Sequence, residues 1–119
     1  MANQLMRIRR LKKALVPSFL VVVSMSVLTA CTSEEQKLIE HGQVIYTGTC
    51  KVCHAQGING APILGNNKMW SKRTGQGIDV LVQHASEGYG LMPAKGGNTD
   101  LTSDDLRAAI SFMLSKLEE

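Results

Sequence analysis

Two thiols three positions apart, with an imidazole directly behind the second, stand in Cys50-Lys51-Val52-Cys53-His54. At that spacing each thiol can add to one vinyl group of a haem while the adjacent imidazole reaches the iron from the same side. The pentapeptide is therefore a signal for covalent haem attachment. A Cys-x-x-Cys pair also serves redox and zinc chemistry. A thioredoxin-like pair requires a βαβ setting, and a zinc site requires two further ligands. The remaining histidines, His41 and His84, stand at spacings that fit no compact zinc motif.

A haem would also answer a problem of size. The chain has 119 residues and only 4% aromatics, with Trp70, Tyr46, Tyr89, Phe19 and Phe112 as the whole set. Domains so small bury a modest share of their surface and commonly recruit a cofactor, metal or disulfide. A buried haem supplies the large flat apolar mass that aromatic side chains otherwise provide, so the apo-chain is expected to be largely unfolded.

The N-terminus reads as an export signal. Arg7, Arg9, Arg10, Lys12 and Lys13 form a basic region, followed by the apolar run from Ala14 to Ala30, broken only by Pro17 and small hydroxyl residues. Leu28-Thr29-Ala30-Cys31 resembles the lipobox of bacterial lipoproteins, in which the cysteine becomes the lipidated first residue. The expected division is a signal peptide over 1–30, removed, and a single mature domain over 31–119. Residues around Arg9-Arg10 match the twin-arginine motif poorly, and the lipobox leads to the expectation of a periplasmic protein lipid-anchored to a membrane. An uncleaved anchor and a secreted soluble form are the alternatives. Removing the signal reverses the charge. Five of the 13 basic side chains leave with it, so eight face 10 acidic ones, a net of −2 where the full chain has +3. That balance excludes a basic nucleic-acid binder. The 3 cysteines are also accounted for, one by lipid at Cys31 and two by haem at Cys50 and Cys53.

Helices joined by glycine-rich loops must position these groups. Ser33 with Glu34, Glu35 and Gln36 reads as a capping box, and Leu38, Gly42, Ile45, Tyr46 and Thr49 then recur at helical spacing. Gln56 to Asn67, with Gly57, Gly60, Pro62 and Gly65, reads as a loop. A short helix is predicted over Lys68–Arg73 and a longer one over Ile78–Glu87, with Ile78, Leu81, Val82 and Ala85 on one face and Gly88 at its end. After a loop from Tyr89 to Thr99, Thr102 to Asp105 caps the last helix. Its apolar stripe is Leu106, Ala109, Ile110, Met113, Leu114 and Leu117. No strand-like alternation, internal repeat or linker interrupts this all-α pattern.

Residues 36–117 resemble a class I c-type cytochrome, and within that class the bacterial cytochrome c5 group. Gly42 and Tyr46 resemble the family's first-helix contact pair, where glycine lets the terminal helix approach. Gly60-Ala61-Pro62 resembles the loop whose proline carbonyl accepts from the ligating histidine. Trp70-Ser71-Lys72-Arg73 resembles the WxxR segment, and Met92-Pro93-Ala94-Lys95-Gly96-Gly97 the methionine-ligand loop. The extra cysteine pair of some c5 proteins is missing. The resemblance implies a cytochrome c fold, four to five helices around one covalent haem c, with the first and last helices packed together. Cys50 and Cys53 would attach the haem, His54 and Met92 would be its axial iron ligands, and Pro62 would orient His54. Trp70 and Arg73 would meet the propionates.

The placement of the methionines agrees with that ligand set. Met113 falls on the stripe of the last helix and reads as core, and Met69 sits in a helix-like stretch. Met92 lies between Gly90 and Pro93 in an irregular loop that can aim its side chain inward. His84 competes as a ligand, but it and His41 fall within predicted helices and read as surface or packing residues. His/Met ligation raises the reduction potential and fills both axial positions, so outer-sphere electron transfer is the function expected. The chain would be a monomeric one-electron carrier, not an enzyme. It would take electrons from a quinol-oxidising complex or dehydrogenase and pass them to a terminal reductase or oxidase through brief, small-interface encounters. Two alternatives remain from the sequence. One is a haem enzyme or gas-binding sensor with a labile distal ligand, such as a small peroxidase; the other is a structural lipoprotein that uses haem only to fold.

Overall fold

A computed structural model describes residues 34–117. The signal segment, the Cys31 lipidation site and the Ser33 end of the predicted capping box lie outside the described residues. The chain divides into two units, Met1–Glu35 and Gln36–Glu119, and the Cys50–His54 motif and Met92 both lie in the second.

Five α-helical segments occur in the described residues. Helix α1 (34–45) runs into a π-helical turn, Tyr46–Cys50, and then α2 (Lys51–His54), with right-handed helical dihedrals at both junctions. An i→i+5 turn takes more residues than an α-turn, so it resets which face the attachment motif presents. Asn66 caps α3 (Asn67–Thr74), its side chain accepting from the Met69 N–H at 3.1 Å. Helix α4 (Ile78–Glu87) ends at Gly88, as the sequence predicts. Thr102 and Asp105 form a reciprocal capping box on α5 (Ser103–Leu114); the helix ends at the Ser115 cap, so Leu117 lies beyond it, yet still packs against Tyr46, Trp70, Phe112 and Met113. One isolated bridge, Tyr89 to Met92, is the only β-type pairing among the described residues. None of their helices is long and apolar enough to cross a membrane.

Helix α5 is the shared wall of two apolar clusters. Its Leu106 and Ile110 meet Leu81, Val82 and Ala85 of α4, together with Leu101. Its Phe112 and Met113 meet Tyr46 and Trp70. The expected stripe therefore describes one buried side, while Ala108 and Phe112 form another that faces α1. There the first and last helices nearly touch. A Cβ built on Gly42 would sit 2.0 Å from the Ala108 carbonyl oxygen and 2.9 Å from Phe112 Cβ. The Tyr46 and Phe112 rings pack at 5.4 Å. At the other end of the contact, His41 Nε2 donates to Asp105 Oδ1 at 2.7 Å.

Candidate functional site

Continuity of the helical rod carries the two thiols and the imidazole to one place. Cys50 closes the π-turn, and Cys53 and His54 follow in α2. Both thiols are free and half-buried, and burial pushes the Cys50 thiol above its ordinary pKa. His54 is 8% exposed, and its Nδ1–H donates to the Pro62 carbonyl at 2.9 Å. A carbonyl only accepts, so Nδ1 carries the proton and Nε2 keeps its lone pair. No hydrogen bond from the described residues engages Nε2. Burial holds the imidazole below its ordinary pKa. The Pro62 carbonyl opposes that shift, and the Arg73 cation adds to it. The result is a neutral imidazole of fixed tautomer, the form a metal ligand requires.

A return loop makes that orientation possible. Gly57 and Asn59 take left-handed φ values of 76° and 54°, and asparagine is among the residues that tolerate this region. The loop then folds back so that the Leu64 N–H donates to the His54 carbonyl at 2.9 Å. Trp70, 4% exposed, places its ring 6.3 Å from the His54 ring at an interplanar angle of 29°. The sequence expectation sent the Trp70 N–H and Arg73 to propionates. In the structure the single indole donor is bonded to the Ile63 carbonyl at 2.9 Å, and Arg73 Nη1 donates to the Met69 carbonyl at 2.6 Å.

Met92 arrives on a closed loop. Its N–H and carbonyl pair with the carbonyl and N–H of Tyr89, both at 3.0 Å, around a two-residue turn that opens with Gly90 at φ 60°. The side chain is half-buried against the cluster of Leu81, Val82, Ala85, Leu101, Leu106 and Ile110. The loop also reaches the attachment segment. Asn98 Nδ2 donates to Thr49 Oγ1 at 3.4 Å, and a Cβ on Gly96 would lie 3.1 Å from Thr49 Cγ2. Met113 is core, 3% exposed, as expected, and Met69 is half-buried within α3. His41 is bonded to Asp105, and the His84 ring stacks on Tyr89 at 4.1 Å. Among the described residues no three His, Cys, Asp or Glu side chains gather at one place.

Sequence reasoning missed the π-turn, the His84–Tyr89 stack, the Thr49–Asn98 contact and the Trp70–Ile63 bond. Gly48 lies inside the π-turn, which follows a helical spacing that runs on without a break. The others join residues whose spacing follows no regular period.

The donor set fits a haem: two free, half-buried thiols at vinyl-bridging spacing, and an imidazole whose outer nitrogen is already occupied. Comparison with known proteins points the same way. Residues 37–113 match the family described as cytochrome c oxidase, cbb3-type, subunit III. Cytochrome c-555 of Prosthecochloris aestuarii is 35% identical over 91 residues, covering 70% of this chain and 92% of the relative. Cytochrome c5 of Ectopseudomonas mendocina is 38% identical over 66 residues, 54% of this chain and 76% of the relative. A chain from the crystal structure of an electron-transfer complex of nitrite reductase with cytochrome c superposes with a TM-score of 0.61 at 37% identity. It covers 64% of this chain and 93% of that one. Relatives thus include the c5 proteins and c-555 proteins beside them. The chain belongs to the class I c-type cytochromes, small helical proteins built around a covalently attached haem c.

Proposed function

We propose that this chain is a monohaem periplasmic cytochrome that carries one electron at a time between respiratory partners, with Cys50 and Cys53 as the attachment residues and His54 and Met92 as the iron ligands. The hydrogen bond from His54 Nδ1–H to the Pro62 carbonyl, 2.9 Å long, carries the reading, because it presents Nε2 as a neutral donor of fixed orientation. When bound, haem supplies the redox change, cycling between ferrous and ferric iron.

The protein's residues do the rest. The Pro62 carbonyl draws on the Nδ1 proton and makes the imidazole the stronger donor. The Met92 thioether, neutral and soft, favours the lower oxidation state. Leu81, Val82, Ala85 and Ile110 keep an apolar wall against it. With His54 and Met92 both committed to the iron, no position would be left for substrate, so outer-sphere transfer would be the activity and the chain would act as a carrier rather than an enzyme. Arg73 has N–H groups beyond the one that Met69 accepts, and it serves as the propionate partner. The Leu28-Thr29-Ala30-Cys31 lipobox supports a lipid anchor at Cys31, which restricts the search for partners to a membrane surface. The solved complex of a similar chain with nitrite reductase supports a terminal reductase as the class of acceptor.

The test is an absorption spectrum of the oxidised protein, wild type beside Met92→Ala. A weak long-wavelength sulfur-to-iron band present only in wild type is the expected result. Its absence from wild type, with rapid carbon monoxide binding to the reduced protein, would overturn the reading in favour of an open distal site.

A further inference from the structure

Three hydrogen bonds converge on Pro62-Ile63-Leu64. The Pro62 carbonyl accepts from His54 Nδ1–H, the Ile63 carbonyl accepts from Trp70 Nε1–H, and the Leu64 N–H donates to the His54 carbonyl, each at 2.9 Å. The last two hold the same peptide plane, since the Ile63 carbonyl and the Leu64 N–H belong to one amide. The preceding plane, which bears the Pro62 carbonyl, is therefore confined on both sides. The pyrrolidine ring fixes φ of Pro62, and the Ile63–Leu64 amide is clamped at both its polar atoms.

The clamp is anchored in the core. Trp70 is 4% exposed and packs with Tyr46, Phe112 and Met113, and its helix begins at the Asn66 cap. Its one donor is engaged at Ile63, so the ring has nothing left for a propionate.

We propose that Trp70 is a positioning residue for the axial imidazole: its indole N–H fixes the Ile63–Leu64 amide, and through it the Pro62 carbonyl that sets the tautomer and ring plane of His54. The proposal rests on the reading of His54 as an iron ligand. Removing the indole N–H frees the amide and loosens the Pro62–His54 bond. The imidazole then becomes a poorer donor to ferric iron, so the ferrous state gains and the potential rises. Direct loss of an outer partner of a metal-bound histidine changes affinity about 10- to 100-fold. An effect passed through one intervening peptide is smaller, about threefold in the ferrous-to-ferric equilibrium, or about 28 mV at 59 mV per tenfold for one electron.

The experiment compares haem-loaded wild type with Trp70→Phe, which keeps an aromatic ring and removes the donor. Proton NMR of the reduced protein follows exchange of His54 Nδ1–H, and a redox titration gives the potential. Exchange at least tenfold faster and a raised potential, with the sulfur-to-iron band of the oxidised protein retained, is the expected outcome. Unchanged exchange and potential would overturn the proposal. A wild type without the band or without a protected His54 proton would instead overturn the functional reading beneath it. Should Trp70→Phe fail to fold, the wild-type indole proton decides the matter. A protected resonance whose position is independent of pH supports a carbonyl partner, whereas one that follows the titration of a carboxylate assigns a propionate and removes the proposed role.

Discussion

Gly42→Ala tests the contact on which the arrangement of the first and last helices depends. The added Cβ would lie 2.0 Å from the Ala108 carbonyl oxygen, 2.5 Å from its carbon and 2.9 Å from Phe112 Cβ. Two of these atoms are backbone and none is the end of a flexible chain. Restoring an ordinary contact of 3.4 Å requires α1 and α5 to part by about 1.4 Å along that line. Overpacking of a tight interface typically costs about 1–3 kcal/mol and occasionally more. A gap of about 0.5–1 Å already forfeits a quarter to a half of each dispersion contact, and here it opens around Tyr46 and Phe112, whose rings are 5.4 Å apart. A gross loss of about 4 kcal/mol follows. Alanine's better helix propensity offsets about 1 kcal/mol of it, leaving about 3 kcal/mol net.

At about 4–8 °C per kcal/mol for a domain of this size, Tm falls by about 12–24 °C. Thermal unfolding of the haem-loaded protein, followed in parallel by circular dichroism and by haem absorption, reads this directly. Gly48→Ala is the control, because nothing lies within 4 Å of its Cβ and its φ is ordinary. It should melt at or above the wild-type temperature. A Gly42→Ala protein melting within about 3 °C of wild type, or a Gly48→Ala protein equally destabilised, would refute the reasoning.

Gly88 has φ 89° and ψ 151°, a region all but closed to other residues, and a Cβ there would lie 3.0 Å from the Met92 carbonyl oxygen and the Ala94 nitrogen. Gly88→Ala should cost about 1–3 kcal/mol and abolish the sulfur-to-iron band at a temperature below global unfolding; simultaneous loss of the two signals counts against it. Asp105 is held down to about 2 from 3.8, first by the Thr102 backbone N–H, then by the Thr102 hydroxyl and His41. A depressed carboxylate stabilises the fold above its unfolded value and ceases to do so as pH falls through its folded value, so stability should decline from about pH 4 towards pH 2. Guanidinium midpoints measured against pH should show a flatter acid limb in Asp105→Asn; an equally steep one is evidence against the linkage. Among the described residues no large side chain falls below 2% exposure, and a chain with both Cys50→Ser and Cys53→Ser, unable to attach haem, should show no cooperative melt by calorimetry.

Legibility followed the reach of each interaction along the chain. The Ile78–Glu87 helix appears with the bounds that its four apolar residues and Gly88 predict, because period and stop signal are both local. The α5 cap was equally plain, since Thr102 and Asp105 satisfy each other within one turn. Phe112 falls off the stripe that the spacing predicts, because α5 is buried on two sides and the second is explained only by Gly42, far away in sequence. At the site, the Cys50–His54 motif stands out by residue types and spacing, and the bond from His54 to the Pro62 carbonyl is the one that the resemblance implies. The partner of the Trp70 N–H was not: a donor's acceptor depends on how the loop at 57–64 returns, and that return is set by left-handed residues and a backbone bond to His54.

The two segments proposed to carry the iron ligands are built to different standards of rigidity, and the difference bears on what the protein can do. His54 lies on a continuous helical rod, is nearly buried, and has both its ring nitrogen and its carbonyl bonded to one short segment. Met92 lies on a loop closed by two backbone bonds, with Tyr89 and Leu91 beside it 59% and 73% exposed and a tie of 3.4 Å from Asn98 to Thr49. Segments with few buried contacts and solvent-exposed hydrogen bonds open first. Any external ligand that competes for the distal position must wait for the loop over 88–98 to open, so its binding rate should saturate at that opening rate as its concentration rises. A carrier needs the loop shut through each brief encounter with a partner. A gas sensor would need it open, and the glycine contacts that clamp the loop onto α4 and the Thr49 segment argue for the carrier.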